Sequence, residues 1–358
     1  VNFDEARAQF PVLEHTAYLN AGSMGPLARA TVEAMVEQER SDLEGGRAGP
    51  PYFEHMRDLR NRVRAGLART IAVPPEKVAL TSSTTEGCNI VVAGLRLRPD
   101  DEIVTSDTEH FGLLGALNAS GARVRVARVR GVPAERALES ILAEVTPKTR
   151  LIALSHVSWQ TGNLLPVEEV QDATSVPVLV DGAQSAGAVA VEAARFDFFT
   201  VSGQKWICGP DATGGLYVRD PERLHVAWPT FFSQESYDDD GAYTPRAGAA
   251  RFDGGWIPTA SLAGLEAALG TVPHWAAHHS AELTARCWAR LDDRFVVVTA
   301  PGQATLVSFM PEGDPAEVAA RLCEQGVVIR DMPGTGWLRV SCGWWTSEGD
   351  IDRLLDAL

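Results

Sequence analysis

Short apolar runs recur along this chain, and several run directly into polar clusters. Pro177-Val178-Leu179-Val180 leads into Asp181, and Phe198-Phe199-Thr200-Val201 leads into Ser202-Gly203-Gln204-Lys205. A strand that is apolar at successive positions must be covered on both faces, which is the condition of a parallel sheet between helices. Helical patterns fall between the runs, so the chain reads as α/β with crossover helices. The expected strands are Val78–Thr81, Glu102–Ser106, Arg123–Val129, Leu151–Ser155, Val176–Asp181, Phe196–Ser202 and Gly215–Val218. Expected helices include Leu27–Leu43, Glu86–Leu95, Phe111–Ala119, Ala134–Val145 and Val167–Ala173.

The stretch Thr230–Gly255, rich in Tyr, Asp, Gly and Pro, has no period and reads as a long loop. Beyond it Thr259–Leu291 reads as one long helix or a kinked pair. Strands at Phe295–Val298, Ala304–Phe309, Val327–Arg330 and Trp337–Ser341 follow, with helices Pro315–Glu324 and Ser347–Ala357. The expected division is an N-terminal segment (1–25) packing with the small domain, a large domain (26–255) and a smaller α+β domain (256–358).

The formal net charge of −15 argues against nucleic acid or an anionic membrane as partner. No run of about 18 apolar residues predicts a membrane span. No basic n-region with an apolar core marks a secretory leader at the start of the sequence. Five scattered cysteines (Cys88, Cys208, Cys287, Cys323, Cys342) without a CxxC read as buried free thiols in a reducing cytoplasm. His274 and His278 have metal-compatible spacing, but no further ligand accompanies them, so a solvated helix face and no metal site are expected.

Only three lysines occur, Lys77, Lys148 and Lys205. The first two read as water-facing loop residues. Lys205 follows an apolar strand and precedes Trp206-Ile207-Cys208. An amine in such surroundings loses its proton readily and attacks carbonyls, which a guanidinium does not do.

Four clusters sit where strands end, the edge at which open α/β sheets bind ligands. Thr81–Gly87 opens a helix with hydroxyls and free N–H groups, a seat for phosphate that also fits an ordinary N-cap box. His110, after Glu102–Ser106, suits ring stacking or proton transfer, and also fits a satisfied polar residue. Asp181 ends a buried strand and needs a partner; a pyridinium nitrogen, a metal or a turn N–H each fits. Ser202, Gln204 and Lys205 offer two phosphate donors and an imine-forming amine, and a buried ion pair also fits Lys205. Together the four meet the needs of pyridoxal 5'-phosphate.

The order Asp181-Gly-Ala-Gln-Ser-Ala-Gly, Ser202-Gly-Gln-Lys205, Gly209-Pro210 and Gly214-Gly215 resembles the class V aminotransferase and cysteine desulfurase group of fold-type I enzymes. Within it, Ser155-His156-Val157-Ser158-Trp159-Gln160-Thr161-Gly162-Asn163-Leu164-Leu165-Pro166 and Arg339-Val340-Ser341-Cys342 look closest to cysteine/cystine C–S lyases. The resemblance implies a large domain with a mostly parallel seven-stranded sheet, a homodimer, and a small amino-acid substrate. It implies that Lys205 holds the cofactor as a Schiff base and moves the α-proton. Asp181 would pair with the ring nitrogen, Gln184 would contact the ring hydroxyl and His110 would stack on the ring. Thr84, Thr85, Ser202 and Gln204 would bind phosphate, Arg339 the substrate carboxylate, and Trp159 would border the substrate.

Some positions depart from that pattern. Gln204 stands where the family often has His, Trp159 where many members have Asn, and Trp256 where many send a Thr across the dimer interface. The stretch Arg330–Trp337 lacks the nucleophilic loop Cys of desulfurases. The function implied is β-elimination from cysteine, cystine or a related sulfur amino acid, with a class V aminotransferase as the alternative. A desulfurase and a non-catalytic cofactor-binding protein are the remaining readings.

Overall fold

The computed structural model describes residues 1–358. All seven expected strands form one sheet: β1 (Val78–Thr81), β2 (Glu102–Ser106), β3 (Arg123–Ala127), β4 (Thr149–Ser155), β5 (Val178–Asp181), β6 (Phe198–Ser202) and β7 (Gly214–Val218). Their order is β1-β7-β6-β5-β4-β2-β3, and only β7 runs against the rest. Alternation explains the apolar runs. Leu179 and Leu151 enter the core on one face of the sheet, while Val180 and Ile152 enter the core on the other. Helices such as Thr84–Gly94 and Phe111–Ala119 cover one face, and Gly49–Thr70 and Val167–Ala173 the other.

The small layer is a four-stranded antiparallel sheet ordered Val296–Val297, Leu306–Met310, Trp337–Ser341, Arg330–Met332. The expected single strand near 327–330 is split: Val327–Val328 pairs instead with Ala17–Tyr18 of the N-terminal segment. That segment also ties down through Arg7, which pairs with Asp350 at 2.6 Å. The expected long helix is two, Thr259–Thr271 and Ala276–Asp292, broken around Pro273, which cannot continue a helix. The first of them places Leu262, Leu265 and Ala268 in the core of the large sheet.

Several expectations are corrected. The stretch read as loop contains a hairpin, Gln234–Tyr237 with Tyr243–Pro245. Lys77 is half-buried rather than free in water: its ammonium donates to the Arg219 carbonyl at 2.7 Å. Cys323 is exposed while the other four thiols are buried. His279 leaves the solvated face and packs on Phe3 and Trp275. Trp344 and Trp345, which no expectation above concerned, form a buried aromatic nest with Phe10. No helix is long and apolar enough to cross a membrane.

Candidate active site

The C-terminal ends of β1, β2, β4, β5 and β6 converge on a cavity of about 230 Å³. It is lined by Thr84, Thr85, His110, Trp159, Asp181, Gln184, Ser202, Gln204, Lys205 and Arg339, every residue singled out from the sequence. Ser83, Gly22, Ser23, Ser155 and Arg330 complete much of the wall.

One end is built from neutral donors. Ser83 caps helix Thr84–Gly94 by accepting from Glu86 N at 3.1 Å, which places Thr84 and Thr85 in the first turn. Their backbone N–H groups have no partner within the helix, and their hydroxyls add donors. Ser202 Oγ donates to Gln204 Oε1 at 2.7 Å, so the amide NH₂ of Gln204 remains free to donate. The end therefore suits a phosphate without offering it a cation.

The middle is built for a flat heterocycle and an aldehyde. Both protein donors to Asp181, Ala183 N at 2.9 Å and Thr200 Oγ1 at 3.2 Å, go to Oδ1, leaving Oδ2 for another donor. His110 Nδ1 accepts from Gly112 N at 3.0 Å, which sets the ring as the neutral Nε2–H tautomer. Its pKa is lowered by desolvation and then by the Lys205 charge. The indole of Trp159 meets that ring edge-on, centroids 5.0 Å apart, and its Nε1–H is buried without a partner. Burial pushes the Lys205 amine down to about 8, with Asp181 partly opposing and Arg339 and Arg330 adding to the drop. Gln184 is clamped: Nε2 donates to Gly22 O at 2.8 Å and Oε1 accepts from Trp206 Nε1 at 3.0 Å, which leaves one amide hydrogen for a ligand.

The far end carries two guanidiniums. Arg339 is 1% exposed, and Arg330 lies opposite it as a register partner. Arg339 Nη1 donates to the Trp159 carbonyl at 2.8 Å, while its Nε is buried without a partner. Burial first, then the Arg330 charge, lowers its pKa to about 9, so it remains a cation at neutral pH. The N-terminal segment closes this end so tightly that glycine is required. A Cβ on Gly22 would lie 2.6 Å from Arg339 Nη2, and one on Gly25 2.1 Å from the Lys205 carbonyl oxygen.

Behind β2 and β4 lies Glu109, which sequence reasoning passed over. Ser155 N donates to its Oε2 at 2.9 Å, and the Ser106 and Ser155 hydroxyls also bind the carboxylate. Burial raises its pKa to about 7, the two serines opposing and Asp181 adding to the rise. Arg330, also passed over, stands at the end of the expected strand Val327–Arg330 and begins the strand Arg330–Met332 instead. Its one available signal was the nine-residue spacing to Arg339 across a Pro-Gly turn.

Residues 17–354 match the family described as aminotransferase class V. The chain belongs to that family. It is thus a pyridoxal-phosphate-dependent enzyme of fold type I. It is 29% identical to an isopenicillin N epimerase of Streptomyces clavuligerus, over 100% of this chain and 98% of that protein. It is 30% identical to a probable cysteine desulfurase of Pseudomonas aeruginosa, covering 98% and 96%. A complex between the cystine C–S lyase C-DES and its product cysteine persulfide superposes with a TM-score of 0.91 at 29% identity, covering 97% and 98%.

The cavity fits the cofactor on its own features. It joins a helix N-terminus ringed by hydroxyls, a carboxylate oxygen with no protein donor, and a lysine whose pKa burial has lowered. Trp256 is not part of this chain's cavity: it is exposed, stacked on Phe231 with ring centroids 6.2 Å apart.

Proposed function

We propose that this enzyme is a C–S lyase that performs β-elimination on cysteine, cystine or a related S-substituted amino acid. The observation that carries the reading is the absence of a thiol from the cavity wall. Arg330–Met332 and Trp337–Ser341 are joined by a tight turn, Pro333-Gly334-Thr335-Gly336, with no cysteine. Cys342 lies in the small core, away from the substrate end. With no protein thiol to accept it, sulfur leaves the β-carbon with its own substituent, as R–SH.

Pyridoxal phosphate, when bound, supplies an electron sink for a carbanion at the substrate α-carbon. Lys205 Nζ would hold it covalently, and the same amine, its pKa lowered by burial to about 8, would move the substrate α-proton. A depressed lysine pKa serves both tasks. Asp181 Oδ2, which no protein donor occupies, would keep a proton on the ring nitrogen. Thr84, Thr85, Ser202 and Gln204 would bind phosphate, His110 would stack on the ring, Gln184 would meet the ring hydroxyl, Trp159 would border the substrate, and Arg339 would grip the α-carboxylate. The net reaction adds water to R–S–CH₂–CH(NH₃⁺)–COO⁻ and yields R–SH, pyruvate and ammonium. A homodimer is part of this proposal, and exposed Phe231 and Trp256 are side chains that a partner would cover.

The test is a product assay on the purified, cofactor-loaded protein with cystine. Pyruvate and ammonium are expected in equal amounts, without an added acceptor. Alanine as sole product would mark a desulfurase, strict dependence on a 2-oxo acid an aminotransferase, and a D-amino acid an epimerase; each sinks the lyase reading.

A further inference from the structure

The connection from β2 to helix Phe111–Ala119 is the short turn Asp107-Thr108-Glu109-His110, and each of its side chains is tied down. Asp107 Oδ1 accepts from Val129 N at 2.9 Å and Arg130 N at 3.1 Å, just past the end of β3. Thr108 Oγ1 shares a hydrogen bond with Ser106 Oγ at 3.1 Å. Glu109 turns the other way, to the end of β4. There its Oε2 accepts from Ser155 N at 2.9 Å and from Ser155 Oγ, while its Oε1 accepts from Ser106 Oγ at 2.5 Å. The turn is therefore held on both sides, and His110 is what it presents to the cavity. The next residues leave no slack. Gly112 N donates to His110 Nδ1, and a Cβ on Gly112 would lie 2.5 Å from Thr85 Oγ1.

A brace alone does not call for an acid. The Glu109 carboxylate is buried and meets only hydroxyls and one backbone N–H, with no cation paired to it. An amide would accept from Ser155 N equally well and would cost less to bury. What the acid adds is a proton that comes and goes near neutral pH, since burial raises its pKa to about 7. The groups facing it link that proton to the ring seat. Ser155 is the register partner of Asp181, so the two carboxylates stand at the ends of adjacent strands, and the Asp181 charge adds to the rise at Glu109. Repulsion is mutual: negative charge at Glu109 favours a proton beside Asp181. Cys88, on helix Thr84–Gly94, is the other titratable group within reach, and burial keeps its thiol neutral by pushing it up, with Asp181 and Glu109 adding to the rise.

We propose that Glu109 is a positioning residue for the cofactor ring: it fixes His110 against one face of the ring, and its charge strengthens the hold of Asp181 on the ring-nitrogen proton. The inference rests on the seats proposed for the ring at His110 and Asp181 and does not depend on C–S cleavage. Wild type, Glu109→Gln and Glu109→Ala are loaded with pyridoxal phosphate. They are read by visible circular dichroism, which reports the pose of the ring, and by visible absorbance against pH. Glu109→Gln keeps an acceptor for Ser155 N, so its dichroism should match the wild type. Its absorbance midpoint should move to lower pH by roughly 0.5–1 unit, because a negative charge that favours the protonated ring is gone. Glu109→Ala loses the brace as well, and its dichroism should change. Should that variant fail to fold, Ser106→Ala removes one donor to the carboxylate and should change the dichroism in the same direction by less. A Glu109→Gln midpoint equal to that of the wild type would overturn the proposal, as would unchanged dichroism in the alanine variant. Variants that alter nothing in a protein that binds the cofactor normally sink this proposal alone. A wild type that binds no cofactor sinks the ring seats along with it.

Discussion

Two pairs of arginines lie wholly or partly out of water in this molecule, and their surroundings are opposite. Arg60 and Arg64, on helix Gly49–Thr70, close on Asp253 at 3.0 and 2.8 Å, and the same carboxylate accepts from Leu80 N at 2.9 Å. Burial alone would raise the Asp253 pKa, but the Arg64 and Arg60 charges outweigh it and hold it below its ordinary value. Arg60 also lies over the Phe232 ring, 4.1 Å from its centroid. Arg330 and Arg339 meet a serine hydroxyl and a carbonyl. The first pair locks a helix, the start of β1 and the segment before Trp256 together. The second pair leaves charge over for a ligand. The same residue type braces the fold where its charge is met within the chain and stays available to an anion where it is not.

The largest expected effect breaks the first pair. Asp253→Ala strands two buried guanidiniums, and denaturant unfolding should show a loss of about 3–5 kcal/mol. A loss under about 1 kcal/mol would mean the pairing contributes little and would remove the contrast. Next comes Arg339→Met. It deletes a buried cation that has no carboxylate partner, so stability should hold or rise while amino-acid affinity falls roughly 10- to 100-fold. Thermal unfolding together with a visible-absorbance titration with cystine checks both signs at once, and a variant that melts well below the wild type contradicts the assignment.

The smallest effect is a slope. The Lys205 pKa lies near 8 in the folded chain against an ordinary value of 10.5. Between those values the unfolded chain binds more protons at this site, so apoprotein stability should rise with pH across the window. Below about pH 8 the penalty is paid in full and does not change. Lys205→Met should flatten that part of the stability–pH curve, and an unaltered curve would show that cavity water already solvates the amine.

Much of this was legible in the chain itself. Most of the seven sheet strands announced themselves because a short apolar run leads into turn residues, and burial on both faces demands consecutive apolar positions; the edge strand Arg123–Ala127 instead alternates arginine and valine. Lys205, Asp181 and His110 were legible because each is costly or unusual where it stands. Arg330 was not legible. A second arginine nine residues before the first has no local peculiarity, and its meaning arises only when a hairpin turns both toward Ser23. Helix Gly49–Thr70 escaped because its Pro50-Pro51 start and many charges resemble a linker. In the fold those prolines occupy the first turn, where no N–H is needed, and Asp253 receives two of the charges. Just beyond the change of composition near residue 256, helix Thr259–Thr271 turns Leu262, Leu265 and Ala268 to the large core.

What the sequence determined alone was the class of architecture and the chemistry at the strand ends, since both depend on local pattern and on the cost of burying an amine or an acid. Only the tertiary structure decided which charges are answered. Strand order, the glycine-tight N-terminal segment and the meeting of two arginines over one hydroxyl depend on distances between residues hundreds of positions apart. Electrostatic demand is set by those distances and by burial, neither of which is written in the order of the residues.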